Sequence, residues 1–511
     1  MSNRLSLPSY ALAATAGTLL ALSFPRYGHP AVAWVALVPL LVALRGGAGA
    51  GAVAPSAGAG LRLGLVTGVV AFAGTIYWTR EVVQQFGGLP MPLAVVAMLL
   101  LALYMAIYAG AAAGITAHLA RRMGTVGLLL APAPWVAGEY LRGWAFGGFP
   151  WVPFGSSQAT VLPVAQVASL LGVYGLSALV VLLNALLAMA LTGLGRTRAL
   201  AAGMAAVVFA TAWGWGAWRL KDSALTHEGT PLTVGLVQGN VEQAQKWDPR
   251  HAGRILEDHI RLTREVVSKG ARYVLWPESS TPFMLEEDPA GERVHDLARE
   301  LGVPMLVGSD QVERAPLRLY NAAHLLGPDG RTAAVYRKMH LVPFGEFIPL
   351  KGLLYFVAPL VESLAEFSAG AETVMLPVNG HMTSTSVCYE VVYPGLVRDA
   401  VLKGSELLTT ITNDAWYGRT SAPFQHFELA SLRAIEQGRY LARAANTGIS
   451  GIVDPYGRVT ARSALFEQTA LVGEVRLLTG RTVYGQIGDA VGWLACGLTV
   501  VALFLARRHA A

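Results

Sequence analysis

Cys388 stands in company that could make it a nucleophile. It opens the cluster Cys388-Tyr389-Glu390, and three other polar clusters share its half of the chain. They are Trp276-Pro277-Glu278, Tyr336-Arg337-Lys338 running on to Pro343-Phe344-Gly345-Glu346, and Thr412-Asn413-Asp414-Ala415-Trp416. A thiol, carboxylates and an ammonium are the ingredients of covalent acyl chemistry, in which a base removes the thiol proton and a donor holds the oxyanion. Each cluster alone also has a plainer reading. A Trp-Pro-Glu can end a strand on a solvated acid, and a cysteine after Ser386-Val387 is more often a small buried hydrophobe. The other cysteine, Cys496, lies in a terminal apolar run, so a free thiol at Cys388 is expected. His340 invites a Cys–His pair, the commoner arrangement. It is only two residues from Lys338, however, and Glu278 with Lys338 is the preferred reading. His426 has no motif support.

The elements that must position these groups alternate in type. Short β-branched runs at 232–237, 273–276, 305–308, 322–326, 383–387 and 407–411 read as strands, with helical patterns such as 254–269 and 291–301 between them. That alternation predicts an α/β layered domain, and the four clusters fall at strand ends, where such folds place reactive groups. Cys388 would then sit at a turn before a helix starting near Val391. Backbone N–H groups at such a helix N-terminus lower a thiol's pKa, so a thiolate near neutral pH is expected.

The rest of the chain is of another kind. Overall 53% of residues are hydrophobic and 14% charged, a balance that points to a membrane. Apolar runs at 10–24, 31–44, 61–78, 91–119, 126–141, 162–194, 199–218 and 487–506 suggest about eight transmembrane helices. The first two are short against the roughly 20 residues a span needs. Arg4 before the first run and Ala31-Val32-Ala33 after it resemble a signal peptide, but with so many spans following, an uncleaved first span is the reading. Alternating the spans from a cytoplasmic N-terminus puts Arg4, Arg45, Arg62, Arg121, Arg122, Arg196, Arg198, Arg507 and Arg508 inside, against Arg26, Arg80 and Arg142 in the opposite short loops. By the positive-inside rule the α/β domain lies outside the cytoplasm and both termini inside it. The expected organisation is a membrane domain at 1–220 with seven helices, a catalytic domain at 221–480, and a last span with a cytoplasmic tail at 481–511. The net charge of +6 reflects orientation signals, since no basic stripe with interleaved aromatics suggests nucleic acid. Residues 46–60, rich in Gly and Ala, read as a flexible connector. The loop 139–158, with Arg142, Trp144, Trp151 and Phe154, is either an aromatic belt with a snorkelling arginine or a lipid contact.

Taken together and in this order, the four clusters resemble the nitrilase (carbon-nitrogen hydrolase) superfamily. Val237-Gln238-Gly239-Asn240 with Lys246-Trp247, and Arg443-Ala444-Ala445-Asn446-Thr447-Gly448, extend the match. With the apolar N-terminal half and the final span, the pattern is similar to the superfamily's membrane members, the bacterial apolipoprotein N-acyltransferases. Small departures fall at Ser279-Ser280 and Thr412. The resemblance implies an α-β-β-α sandwich and a triad of Glu278 as general base, Lys338 as oxyanion donor and Cys388 as nucleophile. It implies supporting roles for Glu346, Glu390 and Asn413.

It further implies a ping-pong transfer in the bacterial inner membrane, with the catalytic domain on the periplasmic side. Cys388 takes an acyl chain from a phospholipid as a thioester and passes it to the α-amino group of a diacylglyceryl-cysteine on an apolipoprotein. No cofactor is required, and no clustered His or Cys suggests a metal; a monomer is expected. Lifting a diacyl phospholipid from the bilayer costs roughly 20 kcal/mol at about 0.8 kcal/mol per CH₂, which explains why such an enzyme would be membrane-bound. The apolar segment 350–367, with Tyr355 and Phe356, reads either as a buried helix or as an arm that gates lipid entry. Trp247, Tyr389, Trp416 and Trp151 are candidate aromatic walls. A membrane-tethered amidohydrolase with the same triad is the alternative. A transporter or receptor is disfavoured, because ionisable residues are nearly absent from the spans.

Overall fold

The computed structural model describes residues 6–47, 53–343, 345–347 and 366–508. They fall into two units, one running to Asp222 and resuming at Ile487, the other comprising Ser223–Gln486.

In the first unit five helices are long and apolar enough to cross a bilayer: Ala57–Thr75, Met91–Met123, Ala168–Thr192, Gly195–Asp222 and Ala490–Arg508. The three remaining apolar runs form shorter pieces. Leu7–Ala21 is a single helix, 31–44 becomes a 3-10 turn at Pro30–Trp34 followed by Val38–Arg45, and 126–141 becomes Thr125–Leu129 and Pro132–Arg142. Proline explains the breaks. It lacks an N–H and is tolerated in a helix's first turn but not inside it, and Pro30, Pro39 and Pro132 each open the piece they belong to. Asn184 repairs one interruption, accepting from the Leu37 N–H at 2.8 Å and donating to the Ala33 carbonyl at 2.9 Å. A broken backbone within apolar surroundings needs such partners.

The helices Ala57–Thr75 and Met91–Met123 meet along small residues. A Cβ at Gly60 would lie 2.5 Å from the Ala117 Cβ, and one at Gly64 would lie 2.5 Å from the Ala113 Cβ. Lipid tails supply no hydrophobic drive for helix pairing, so close backbone approach is what holds such a pair. Elsewhere on Met91–Met123, Leu93, Val96, Leu100, Leu103 and Ile107 are exposed, as a lipid-facing stripe requires.

The second unit is built on two six-stranded sheets. In chain order the strands are β1 Thr230–Gln238, β2 Tyr273–Leu275, β3 Met305–Arg314, β4 Leu317–Leu326, β5 Thr332–Arg337 and β6 Leu376–Val378. They continue as β7 His381–Val387, β8 Leu407–Thr412, β9 Leu441–Ala445, β10 Gly451–Val453, β11 Val459–Arg462 and β12 Thr469–Leu477. One sheet has the order β12-β1-β2-β3-β4-β5 and the other β11-β10-β9-β8-β7-β6. The centres are parallel, with β1-β2-β3 in one sheet and β7-β8-β9 in the other. Side-chain alternation divides the core into layers. Leu232, Val234 and Leu236 of β1, Tyr273 and Leu275 of β2, and Leu306 of β3 join Val387, Ile411 and Ala442 between the sheets. Val237, Val274, Met305 and Val307 face the other way, onto Leu256, Ile260, Val294 and Leu297 of the helices Pro249–Ser268 and Glu292–Leu301. The second sheet is accompanied by Pro394–Leu402 and Ala422–Gln437. All six strand runs expected from the sequence are strands here.

Candidate active site

The polar clusters sit at strand ends, two of them beyond the central strands β2 and β7 and one beyond the edge strand β5. Glu278 lies just beyond β2, Lys338 follows β5 directly, and Cys388 follows β7 directly. The Lys338 Nζ is 3.3 Å from the Glu278 Oε1, and the Cys388 thiol lies close enough to feel the charges of both. All three side chains are buried. Cys388 has φ 55°, a left-handed conformation that costs a non-glycine residue about 1–2 kcal/mol. Strain of this kind at a strand-to-turn junction is how folds thrust a nucleophile out of its sheet.

Glu278 is aimed from several sides. Its Oε1 also accepts from the Asn321 Nδ2 of β4 at 2.7 Å, and its Oε2 accepts from the Asn413 N–H at 2.8 Å. Gly308 of β3 makes room for it, since a Cβ there would sit 2.1 Å from the Pro277 carbonyl oxygen and 2.8 Å from the Glu278 Cα. Glu346 completes the group: its Oε1 accepts from the Lys338 Nζ at 2.8 Å and from Asn321 at 3.0 Å, and its Oε2 accepts from the Val342 N–H at 2.7 Å. Glu390 joins the nucleophile's turn to the lysine's segment. It accepts from the Val387 N–H at 2.7 Å on one side, and from the Met339 N–H at 2.7 Å, the His340 N–H at 3.0 Å and the Tyr336 hydroxyl at 2.8 Å on the other.

Burial penalises every charge here, and the neighbours decide the outcome. Burial alone would raise the Glu278 carboxyl, but Lys338 and Lys246 outweigh it and hold the group below the usual carboxylate range. Burial alone would lower Lys338, but Glu346 and Glu278 push it well above an ordinary lysine. The Cys388 thiol is pushed up by burial and by Glu278, more than Lys338 pulls it down. This corrects the expected thiolate. Cys388 heads only a five-residue 3-10 turn, Cys388–Val392, and the next helix starts at Pro394, so little helix dipole reaches the sulfur. The arrangement is a protonated thiol beside an ionised carboxylate that can take its proton. Two hydrogens of the Lys338 ammonium are committed to carboxylates, which leaves a third for a developing oxyanion.

Other expected residues are more scattered. The Asn413 side chain bonds Gln243 and Asn446, while only its N–H reaches Glu278. Tyr389 is buried against Tyr393, and the His340 ring packs on Tyr393 at 3.8 Å. Trp247 is 48% exposed, and Trp416 is half-buried in the turn Asp414–Tyr417. Trp151 is fully buried within the first unit between Trp78 and Phe149, and its carbonyl accepts from Arg142. Tyr355 and Phe356, and nearly all of the proposed arm at 350–367, lie outside the described residues. Among the described residues no group of three or more His, Cys, Asp or Glu side chains is placed to hold a metal ion.

Three features escaped the sequence reading. Asn321 falls just before the run 322–326 and carries no motif of its own. Lys246 was seen as part of a motif but given no role; its Nζ donates to the Glu278 carbonyl at 3.1 Å. His426 proves to be fully buried, with Nε2 3.1 Å from the Cys388 carbonyl and Nδ1 2.9 Å from the Asp414 Oδ1. Arg443 donates to the Asp414 Oδ2 at 2.9 Å. Burial works against the Asp414 charge, but Arg443 and His426 hold that carboxyl down at about 2.

Two packed sheets flanked by helices, in a chain that also carries a set of apolar helices, define a membrane-associated protein with a carbon-nitrogen hydrolase domain. That family matches residues 233–483, and the apolipoprotein N-acyltransferase N-terminal domain matches residues 16–186. The chain is 39% identical to the apolipoprotein N-acyltransferase of Geobacter metallireducens over 98% of its own length and 95% of the relative's. It is 36% identical to that of Methylococcus capsulatus, over 98% and 96% of the two chains. It therefore belongs to the apolipoprotein N-acyltransferase family and is an acyltransferase. Among solved structures it is similar to Nit3 of Saccharomyces cerevisiae, at 16% identity and TM-score 0.39, over 48% of this chain and 90% of that one.

Proposed function

We propose that this chain moves an acyl chain from a membrane phospholipid, through a thioester on Cys388, to the α-amino group of a diacylglyceryl-modified cysteine of an apolipoprotein. The observation that carries this reading is the convergence of Glu278, Lys338 and a strained, buried Cys388 in a chain with five helices long enough to span a bilayer. In the first half-reaction Glu278 takes the Cys388 proton as sulfur attacks the ester carbonyl, and Lys338 donates to the oxyanion. The proton then leaves on the lysophospholipid hydroxyl as the tetrahedral intermediate collapses. In the second, the acceptor amine attacks the thioester, Glu278 takes the amine's proton, and the thiol is restored. A thioester keeps the acyl group activated, so the exchange needs no other energy source. Glu346 supports Lys338, Glu390 ties the two catalytic segments together, and Asn413 aims Glu278. Trp247, Tyr389 and Trp416 are the aromatic candidates for contact with the acyl chain.

The topology proposed with this function keeps about eight membrane segments, the shorter helices included. It has the domain boundaries near 220 and 480, both termini in the cytoplasm and the catalytic domain on the periplasmic side of a bacterial inner membrane. The arginine distribution supports it. The enzyme acts as a monomer.

The test uses purified full-length protein in detergent and a phospholipid labelled in its acyl chains. A hydroxylamine-sensitive acyl-protein that is absent in Cys388→Ala, and that discharges to an amine-bearing diacylglyceryl lipopeptide, is the expected result. Release of free fatty acid without transfer would favour a membrane-tethered amidohydrolase. Failure of the wild type to become acylated would sink both readings.

A further inference from the structure

The segment between β1 and the helix Pro249–Ser268 crosses the ends of three other strands and is bonded to each. At β9, the Asn240 N–H donates to the Asn446 carbonyl at 3.0 Å. There too the Val241 N–H and carbonyl bond the Asn446 side chain, both at 2.8 Å. At β8, the Gln243 Oε1 accepts from the Asn413 Nδ2 at 2.7 Å. At β2, the Lys246 Nζ donates to the Glu278 main-chain carbonyl at 3.1 Å. Lys246 is 3% exposed. Among the described residues that carbonyl is its hydrogen-bond acceptor, and it forms no contact ion pair.

A buried ammonium without a contact counter-ion is expensive, so its value must lie in the charges it faces. These are Glu278 beyond β2, Asp310 on β3 and Cys388 beyond β7. The remaining titratable neighbour, His259 on the helix Pro249–Ser268, is pushed down by burial to about 4 and stays neutral. Glu278 itself is faced by Lys338, Lys246, Cys388 and Asp310, with Glu346 one step away through their shared Lys338 and Asn321. Asp310 accepts from the Ser279 hydroxyl at 2.9 Å, and burial raises its carboxyl to about 6. Burial lowers the Lys246 ammonium, while Glu278 and Asp310 favour its charge, and with Lys338 it supplies the two positive charges set against the Glu278 carboxylate. Without Lys246 one of the two positive charges that favour the Glu278 carboxylate is gone, and burial then shifts that group towards its protonated form. A protonated Glu278 cannot take up the Cys388 proton.

We propose that Lys246 is a positioning residue for the general base: its ammonium grips the Glu278 main-chain carbonyl and supplies the second positive charge that keeps the carboxylate ready for the Cys388 proton. The inference rests on the roles of Glu278 and Cys388 proposed above. It separates the two lysines, with Lys338 serving the oxyanion and Lys246 serving the base.

The experiment measures Cys388 acylation by labelled phospholipid against pH for the full-length wild type and for Lys246→Gln, Lys246→Met and Lys246→Arg. Cys388 alkylation by iodoacetamide, mapped by mass spectrometry, is followed in parallel. Lys246→Gln can keep the hydrogen bond without the charge, and is expected to move the acid limb of both profiles up by about one pH unit or more. Below the shifted limb its rate should fall about tenfold or more relative to the wild type, and should recover as pH rises to neutral. Lys246→Met should behave alike, and Lys246→Arg should keep the wild-type limb. A Lys246→Gln protein with an unmoved acid limb overturns the proposal, whether its rate is normal or uniformly low. If Lys246→Met fails to fold, Lys246→Gln and Lys246→Arg still decide. Cys388→Ala and Glu278→Gln are run beside them: acylation surviving in the first, or a wild-type pH profile in the second, would discredit the triad and leave Lys246 aside.

Discussion

Because the Cys388 thiol is held protonated, the proposed transfer depends on the group that removes its proton. Glu278→Gln, which preserves size and one carbonyl acceptor, is expected to slow acyl-protein formation by roughly 10²- to 10⁴-fold, measured in a single turnover with labelled phospholipid. The wild-type pH profile carries the same information. The Glu278 carboxyl lies below the ordinary carboxylate range, so it stays ionised as pH falls from neutral. The rate should hold until pH passes below about 4.5. An acid limb above pH 6 would show that another group controls the step.

At the scale of elements, two contacts carry most of the consequence. The turn after β8, the helix Ala422–Gln437 and β9 are joined by Asp414, His426 and Arg443, all buried. The Asp414 carboxyl is lowered from 3.8 to about 2. Its stabilisation is therefore present above the unfolded-state value and is lost as pH falls through the folded one. The shift corresponds to about 2 kcal/mol. Asp414→Asn should lower stability at pH 7 by at least that amount, because it also strands the buried Arg443 charge. Its deficit relative to the wild type should shrink as pH approaches 2, as followed by chemical unfolding. In the first unit, a side chain at Gly64 would collide with the Ala113 Cβ at 2.5 Å and the Ala109 carbonyl at 2.7 Å, whereas one at Gly58 meets nothing within 4 Å. Gly64→Val should lower the thermal midpoint in detergent by several degrees or abolish expression, and Gly58→Ala should match the wild type. Equal behaviour of the two would refute close packing along this stripe.

For the whole molecule, the proposed topology makes a prediction independent of activity. An alkaline phosphatase reporter joined after residue 225, at the start of the catalytic unit, is expected to be active in cells. The same reporter joined after residue 196, or at the C-terminus, is expected to be inactive, because that enzyme folds only outside the cytoplasm. The reverse pattern would place the catalytic unit inside the cell and rule out acceptors across the membrane.

The amino-acid sequence by itself determined the six strand runs, and it marked out the apolar stretches and the residues proposed as the triad. Each is written locally: apolar run length marks a span, a short β-branched run marks a strand, and Trp276-Pro277-Glu278, Lys338 and Cys388 stand in recognisable motifs. Whether an apolar run makes one long helix or two short pieces depended on where Pro30 and Pro132 fell and on distant repairs such as Asn184 to Leu37. Tertiary structure alone decided the chemistry's settings. Asn321, Lys246 and His426 lie 43, 32 and 38 residues from the groups they bond, so no local pattern could assign them. The protonation of Cys388 followed from its surroundings too. A thiol's pKa is set by burial and by every charge within reach, and those are properties of the folded chain rather than of the turn that carries it.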